Sequence, residues 1–260
     1  MLALVGVLGL VVGSFVNVVV HRVPRNESLL RPGSRCPTCG TAIRPWHNVP
    51  VLGWLWLRGR CAHCRQPISA RYPLVEAATA VLFVAVAARF GLSPALPAYL
   101  YLAAIAVALT LIDVDVRRLP DAIVLPSYAV GALLLLGASA GLAHGGWWPA
   151  GRGLLAMAAL FAGYFALAWA YPGGMGFGDV KLAGLLGLFL GWLGWSPVLV
   201  GTFAAFALGG LVGAALLVTR RAHGRTAIPF GPYMLAGALL ALFVAQPVAD
   251  WYLSLLTPTA

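Results

Sequence analysis

The chain has 260 residues, 61% of them hydrophobic and only 9% charged, with a mean hydropathy of +0.91; soluble globular domains carry roughly 25% charged residues, so the composition excludes one. The formal net charge of +10 raises nucleic acid as a partner, but the cations are mostly arginines lying between apolar segments, and no basic stripe carries interleaved aromatics for stacking bases. We read an all-α polytopic membrane protein whose excess positive charge sets its topology, with no nucleic-acid partner.

Residues 1–20 are predicted as a first transmembrane helix, because the apolar run Leu2 to Val20 approaches the ~20 residues that cross a ~30 Å hydrocarbon core. A signal peptide has a basic start and a small-residue cleavage site, whereas this run starts without charge and ends in His21-Arg22-Val23-Pro24, which predicts a retained span. Residues 21–73 change character. They hold nine arginines, all four cysteines and scattered prolines, with no apolar run long enough to cross. This is the one sizeable extramembrane domain. Seven further apolar stretches, near 74–91, 95–113, 120–141, 151–171, 180–195, 198–219 and 230–250, make 74–260 a seven-helix membrane domain and bring the count to about eight spans. The stretch 180–195 is short and diluted by Gly184, Gly187, Gly191 and Gly194. With Ala183, Gly201, Ala204, Ala205, Gly209, Gly210 and Gly213, these residues suit close helix packing more than lipid contact.

Charge asymmetry tests that count. With 21–73 cytoplasmic, alternation places 114–119, 172–181 and 220–229 on the same side, so 15 of the 17 cations fall inside and only Arg89 and Arg152 outside. A missed or invented span in the middle would scramble this split. Trp147, Trp148, Trp195 and Trp251 then fall near the outer interface, where indoles are favoured.

The cysteines form Cys36-Pro-Thr-Cys39 and Cys61-Ala-His-Cys64, a C-x2-C-x21-C-x2-C pattern that brings four thiolates within tetrahedral reach of Zn²⁺. Redox disulfides are the alternative, and the arginines argue against them by placing this domain in the cytosol, where thiols stay reduced. Four sulfur ligands leave no open position for chemistry, so the metal is read as structural, supplying folding energy that a domain of this size lacks. His63, between two of the cysteines, is an alternative ligand.

Three of the seven carboxylates lie in Leu111-Ile112-Asp113-Val114-Asp115-Val116-Arg117-Arg118-Leu119-Pro120-Asp121. Asp113 sits in the last turn of an apolar helix. Asp115 and Asp121 read as interfacial charges pairing with Arg117 and Arg118. A second stretch, Gly173-Gly174-Met175-Gly176-Phe177-Gly178-Asp179-Val180-Lys181, puts four glycines in six residues before the next span, followed by an aspartate and the chain's single lysine. Glycine costs roughly 0.5–1 kcal/mol against alanine in a helix, so these mark backbone that must bend or be approached closely. The plainer reading is a glycine-rich loop whose Asp179 caps the following helix. Ionisable groups at a membrane boundary are functional candidates by default. The topology brings Asp113 and Asp179 to one side of the membrane, where two neighbouring carboxylates share a proton. The ionised one takes a proton from water while the protonated one polarises a peptide carbonyl. No Gly-x-Ser-x-Gly, His-Glu-x-x-His or phosphate loop competes.

In this order the fragments resemble the bacterial prepilin peptidases, the type IV leader peptidase family of Gly-x-Gly-Asp membrane aspartic proteases. They are Gly13-Ser14-Phe15-Val16-Asn17 with Arg22 and Pro24; Pro32-Gly33-Ser34-Arg35-Cys36; Asn48-Val49-Pro50; and Leu57-Arg58-Gly59-Arg60-Cys61. There follow Ile68-Ser69-Ala70-Arg71-Tyr72-Pro73-Leu74-Val75-Glu76, Asp113 with Leu119-Pro120-Asp121, Gly176-Phe177-Gly178-Asp179 with Lys181, and Pro229-Phe230-Gly231-Pro232. The resemblance implies a catalytic pair at Asp113 and Asp179, supported by Gly176, Phe177, Gly178 and Lys181. It implies prepilin or type II secretion pseudopilin substrates cut on the cytoplasmic face of the bacterial inner membrane. It also implies N-methylation of the new terminus with S-adenosylmethionine, for which the residues of 21–73 show no dinucleotide-type loop. Two other classes stay open. A presenilin-type Gly-x-Gly-Asp protease lacks a four-cysteine domain, and a transporter with paired aspartates would show inverted repeats, of which none is visible.

Overall fold

The computed structural model describes residues 1–141, 146–171, 174–219 and 229–256. Gly173 and the loop arginines Arg220, Arg221 and Arg225 lie outside them. Among the described residues are nine α-helices, two short 3-10 helices at Val23–Arg25 and Pro45–His47, and two isolated β-bridges. Seven helices are long and apolar enough to cross a membrane, against the eight or so expected, the stretch 180–195 being the one too short to count, and the chain is a multi-pass membrane protein. By contact the chain forms two compact units, residues 1–92 with 103–108, and 93–102 with 109–260.

In the first unit, α1 (Leu2–Arg22) pairs with α3 (Arg71–Phe90). Their antiparallel register is set by small residues: a Cβ on Gly9 would lie 2.6 Å from Ala80 Cα, and one on Gly13 would lie 2.7 Å from Glu76 Cα. Backbones approach this closely only where side chains are absent, the usual means of helix association in lipid. Asn17 Nδ2 extends the register by donating to the Tyr72 carbonyl at 3.1 Å. Between the two helices lies the cysteine domain, whose one helix is the five-residue α2 (Leu52–Trp56).

The second unit is built around α7 (Phe177–Leu193), packed by α5 (Asp121–Ala140), α6 (Trp148–Ala170), α8 (Trp195–Val218) and α9 (Gly231–Leu256). Helix α4 (Leu96–Val116) brings Asp113 to this unit. The predicted stretch 180–195 is this α7. Residues 182–192 are all buried, and its 17 residues make it the shortest of the long helices. It is apolar on every side because protein, not lipid, surrounds it. Its glycines work as expected: Gly187 and Gly191 lie against the backbone of α6 at Ala156 and Arg152, and Gly184 against the Tyr128 hydroxyl. Gly210 does not, since a Cβ there would meet nothing within 4 Å. At the far end of α7, Arg152 of α6 donates from Nε to the Gly191 carbonyl and from Nη2 to that of Trp192, both at 2.7 Å. These are carbonyls a helix end leaves without partners.

Candidate active site and cysteine centre

Helix α4 carries Asp113 in its last turn, as predicted, and Arg117, in a left-handed conformation (φ 54°), ends the helix by donating its N–H to the Asp113 carbonyl at 2.8 Å. The Asp113 side chain is buried, 5% exposed. Asp115, two residues on, is exposed. Asp179 occupies the first turn of α7, and its Oδ2 accepts from the N–H of Gly176 at 3.2 Å. The capping role that the plainer reading gave Asp179 is therefore real, and it does not exclude another: the helix's positive end favours an anion there. Asp113 and Asp179 lie within electrostatic range of each other.

Three contacts hold this pair that sequence reasoning did not identify. The backbone of Gly231, at the start of α9, faces the Asp113 carboxylate; a Cβ on it would lie 2.7 Å from Asp113 Oδ2 and 3.4 Å from Leu119 Cδ1. Leu119 also faces Gly178, whose Cβ would lie 3.2 Å from Leu119 Cβ. Asp121 pairs with Lys181, not with the neighbouring Arg117 and Arg118: Nζ donates to Oδ1 at 2.7 Å and to Oδ2 at 2.9 Å. The same ammonium sits 5.0 Å over the Phe177 ring, and the Tyr128 hydroxyl donates to the Lys181 carbonyl at 2.6 Å. A Gly-Pro pair opening an apolar span was the available signal for Gly231. For Asp121 and Lys181 there was none, since their pairing depends on which helices adjoin.

The four cysteines come together with all ligand atoms within 4.8 Å of one another. Cys36 and Cys64 Sγ lie 3.8 Å apart, and Cys39 and Cys61 Sγ 4.0 Å. A tetrahedron with Zn–S bonds of ~2.3 Å has edges of about 3.8 Å, so the arrangement fits the ion. The two knuckles are alike: Cys36 N–H donates to Thr41 O and Cys61 N–H to Gln66 O, each knuckle closed by a bridge, Arg35 with Ala42 and Arg60 with Pro67. His63 is not in the cluster; its backbone N–H donates to Cys61 Sγ at 3.4 Å. Backbone amides of Cys39 and Thr38 hold the Cys36 thiol below its ordinary range, those of Cys64 and His63 do so for Cys61, and the Thr41 hydroxyl and amide for Cys39. Although the Gln66 amide lowers Cys64, burial and its three thiol neighbours push it up to about 12. A cation placed among four sulfurs favours the thiolate form of all of them.

Glu76 was only a letter in a motif, yet it is buried in α3, 8% exposed, and its Oε2 accepts from the Val51 N–H at 2.7 Å. A carboxylate in the second turn of an apolar span was the signal that marked it.

Comparison with known proteins bears on the chain as a whole. The model of the Bacterial Peptidase A24 N-terminal domain matches residues 7–90, and that of the Type IV leader peptidase family matches residues 100–218. Relatives named prepilin leader peptidase/N-methyltransferase include one from Aeromonas hydrophila, 37% identical over 97% of this chain and 93% of its own, and one from Pseudomonas putida, 38% identical over 93% and 90%. Another, from Pseudomonas aeruginosa, is 37% identical over 95% and 91%. No solved structure matches. With both family models in chain order and relatives alike from end to end, the chain belongs to the type IV leader peptidase family.

Proposed function

We propose that this protein cleaves the short basic leader of type IV prepilins or type II secretion pseudopilins, with Asp113 and Asp179 as the catalytic pair, and N-methylates the terminus so exposed. The observation that supports it is that the two aspartates lie in one unit within electrostatic range of each other, one ending α4 and the other opening α7. The ionised member takes a proton from water as the water oxygen attacks the scissile carbonyl carbon. The protonated member donates to the carbonyl oxygen, and the C–N bond breaks with its electron pair and a proton going to the leaving amine. The four cysteines hold a structural zinc, with no open position for substrate. S-adenosylmethionine would supply the methyl group; residues 21–73 carry no glycine-rich nucleotide loop of the dinucleotide type, and no residue is assigned to that step.

The split of cations, 15 to 2, supports an inner-membrane protein with both the knuckles and the pair on the cytoplasmic side. Incubating the purified protein with a tagged prepilin tests the reading: leader removal by the wild type, followed by a methyl increment on the mature terminus in mass spectra, is expected. Cleavage within a transmembrane segment instead would support a presenilin-type activity. Substrate translocation with no cleavage at all would support a transporter.

A further inference from the structure

Helix α2 is inside out for a water-facing domain. Leu52, Leu55 and Trp56 share one face at i, i+3 and i+4 spacing and are 62%, 56% and 78% exposed, while Gly53 on the other side is buried and Trp54 donates its indole N–H to the Ile68 carbonyl at 3.0 Å. Trp46 and Val49, just before the helix, are exposed as well. A polar domain that leaves its one α-helix with an apolar outer face has a partner for that face.

The depth of α2 indicates which partner. Val51, which precedes the helix, is bonded through its N–H to Glu76, five residues into the span α3. At 1.5 Å per residue that is about 7.5 Å along α3 from its first residue and about 3 Å past Leu74, where the apolar stretch begins. At this level α3 itself presents the exposed Leu74. A backbone N–H withdrawn from water must be satisfied by the protein, and the buried Glu76 carboxylate does this where the apolar stretch of α3 begins. Exposed Arg44, Arg58 and Arg60 bracket α2 in the chain, the complement of anionic headgroups, and Arg44 stacks over the exposed Trp46 at 5.6 Å. We propose that α2 is an interfacial helix whose Leu52, Leu55 and Trp56 lie in the lipid of the bilayer, seating the cysteine domain on the membrane surface.

The test uses the full-length protein in nanodiscs of phosphatidylcholine and phosphatidylglycerol containing a lipid with a photoreactive diazirine in its acyl chain. After illumination, adducts are mapped by peptide mass spectrometry. Labelling of 52–56 comparable to that of the exposed α1 residues Leu4 and Val7, with none at Thr38 or Ala62 on the knuckles, is expected. A Leu55→Lys variant that still binds zinc should lose the 52–56 adducts while α1 keeps its own. Labelling of α1 with none on 52–56 overturns the proposal. So does photocrosslinking of 52–56 to a prepilin in place of lipid, which would make the face a substrate groove.

Discussion

Replacing Gly231 with alanine adds one methyl group beside the candidate catalytic pair and nowhere else. The new Cβ would stand 2.7 Å from Asp113 Oδ2, against an ordinary contact distance of at least 3.4 Å, and 3.4 Å from Leu119 Cδ1. Leu119 closes one side, so the carboxylate must retreat by about 0.7 Å, the difference between those two distances. Misplacing a reacting group by ~1 Å costs on the order of 10²-fold in rate, or ~2.7 kcal/mol of barrier. We expect kcat for prepilin cleavage to fall by tens to about a hundredfold on that scale. Stability should change little, because Asp113 Oδ2 is the far end of a side chain that can give way and Gly231 is the first residue of α9, where helix propensity counts least. Single-turnover cleavage in nanodiscs and a thermal unfolding scan measure the two separately. Gly210→Ala, where the methyl meets open space, is the control. A Gly231→Ala enzyme with wild-type kcat would refute the reasoning, because the pair would then not need the position the structure gives it.

Asp113→Asn and Asp179→Asn should each reduce cleavage by orders of magnitude, and the double change should cost little more, since groups acting as one unit are not additive; Asp115→Asn should stay active in the same in-membrane assay. Asp121→Asn and Lys181→Met should each lower kcat several-fold by freeing the first turn of α7, with the double variant no worse than the singles and a measurable recovery in the Asp121→Lys, Lys181→Asp swap; additive losses would show that the pair does not act jointly. Purified protein should hold about one zinc per chain by metal analysis, lost on Cys36→Ser or Cys61→Ser, with faster proteolysis within 21–73 as the domain loosens.

Much of this was legible in one dimension. The spans, the cysteine centre and the position of Asp113 in a last helical turn follow from hydropathy, spacing and helix periodicity, which are local properties. The glycines of α7 signalled close packing, but that protein surrounds the helix on every side was not legible. Its run of leucines and glycines has the hydropathy of a lipid-facing helix, because hydrocarbon and a packed helical interior are nearly the same solvent for leucine. The partner of Asp121 was equally hidden: Arg117 and Arg118 are near in the chain, but Lys181, 60 residues away, is near in space once α5 and α7 adjoin. Glu76 likewise serves an amide 25 residues earlier. Such pairings belong to tertiary structure, and no local pattern announces them.

At 17 residues, α7 spans only about 25 Å, short of the ~30 Å hydrocarbon thickness that its neighbours cross. An isolated helix of that length would settle according to hydrophobic mismatch, tilting or thinning the bilayer around it. Here Lys181 is anchored to α5 at one end, Arg152 of α6 covers the last carbonyls at the other, and protein lies along the sides. The vertical position of Asp179 is thus referenced to its neighbouring helices and not to the lipid. Bilayers of different thickness can deform around the outer helices while the height of Asp179 within its own unit stays the same.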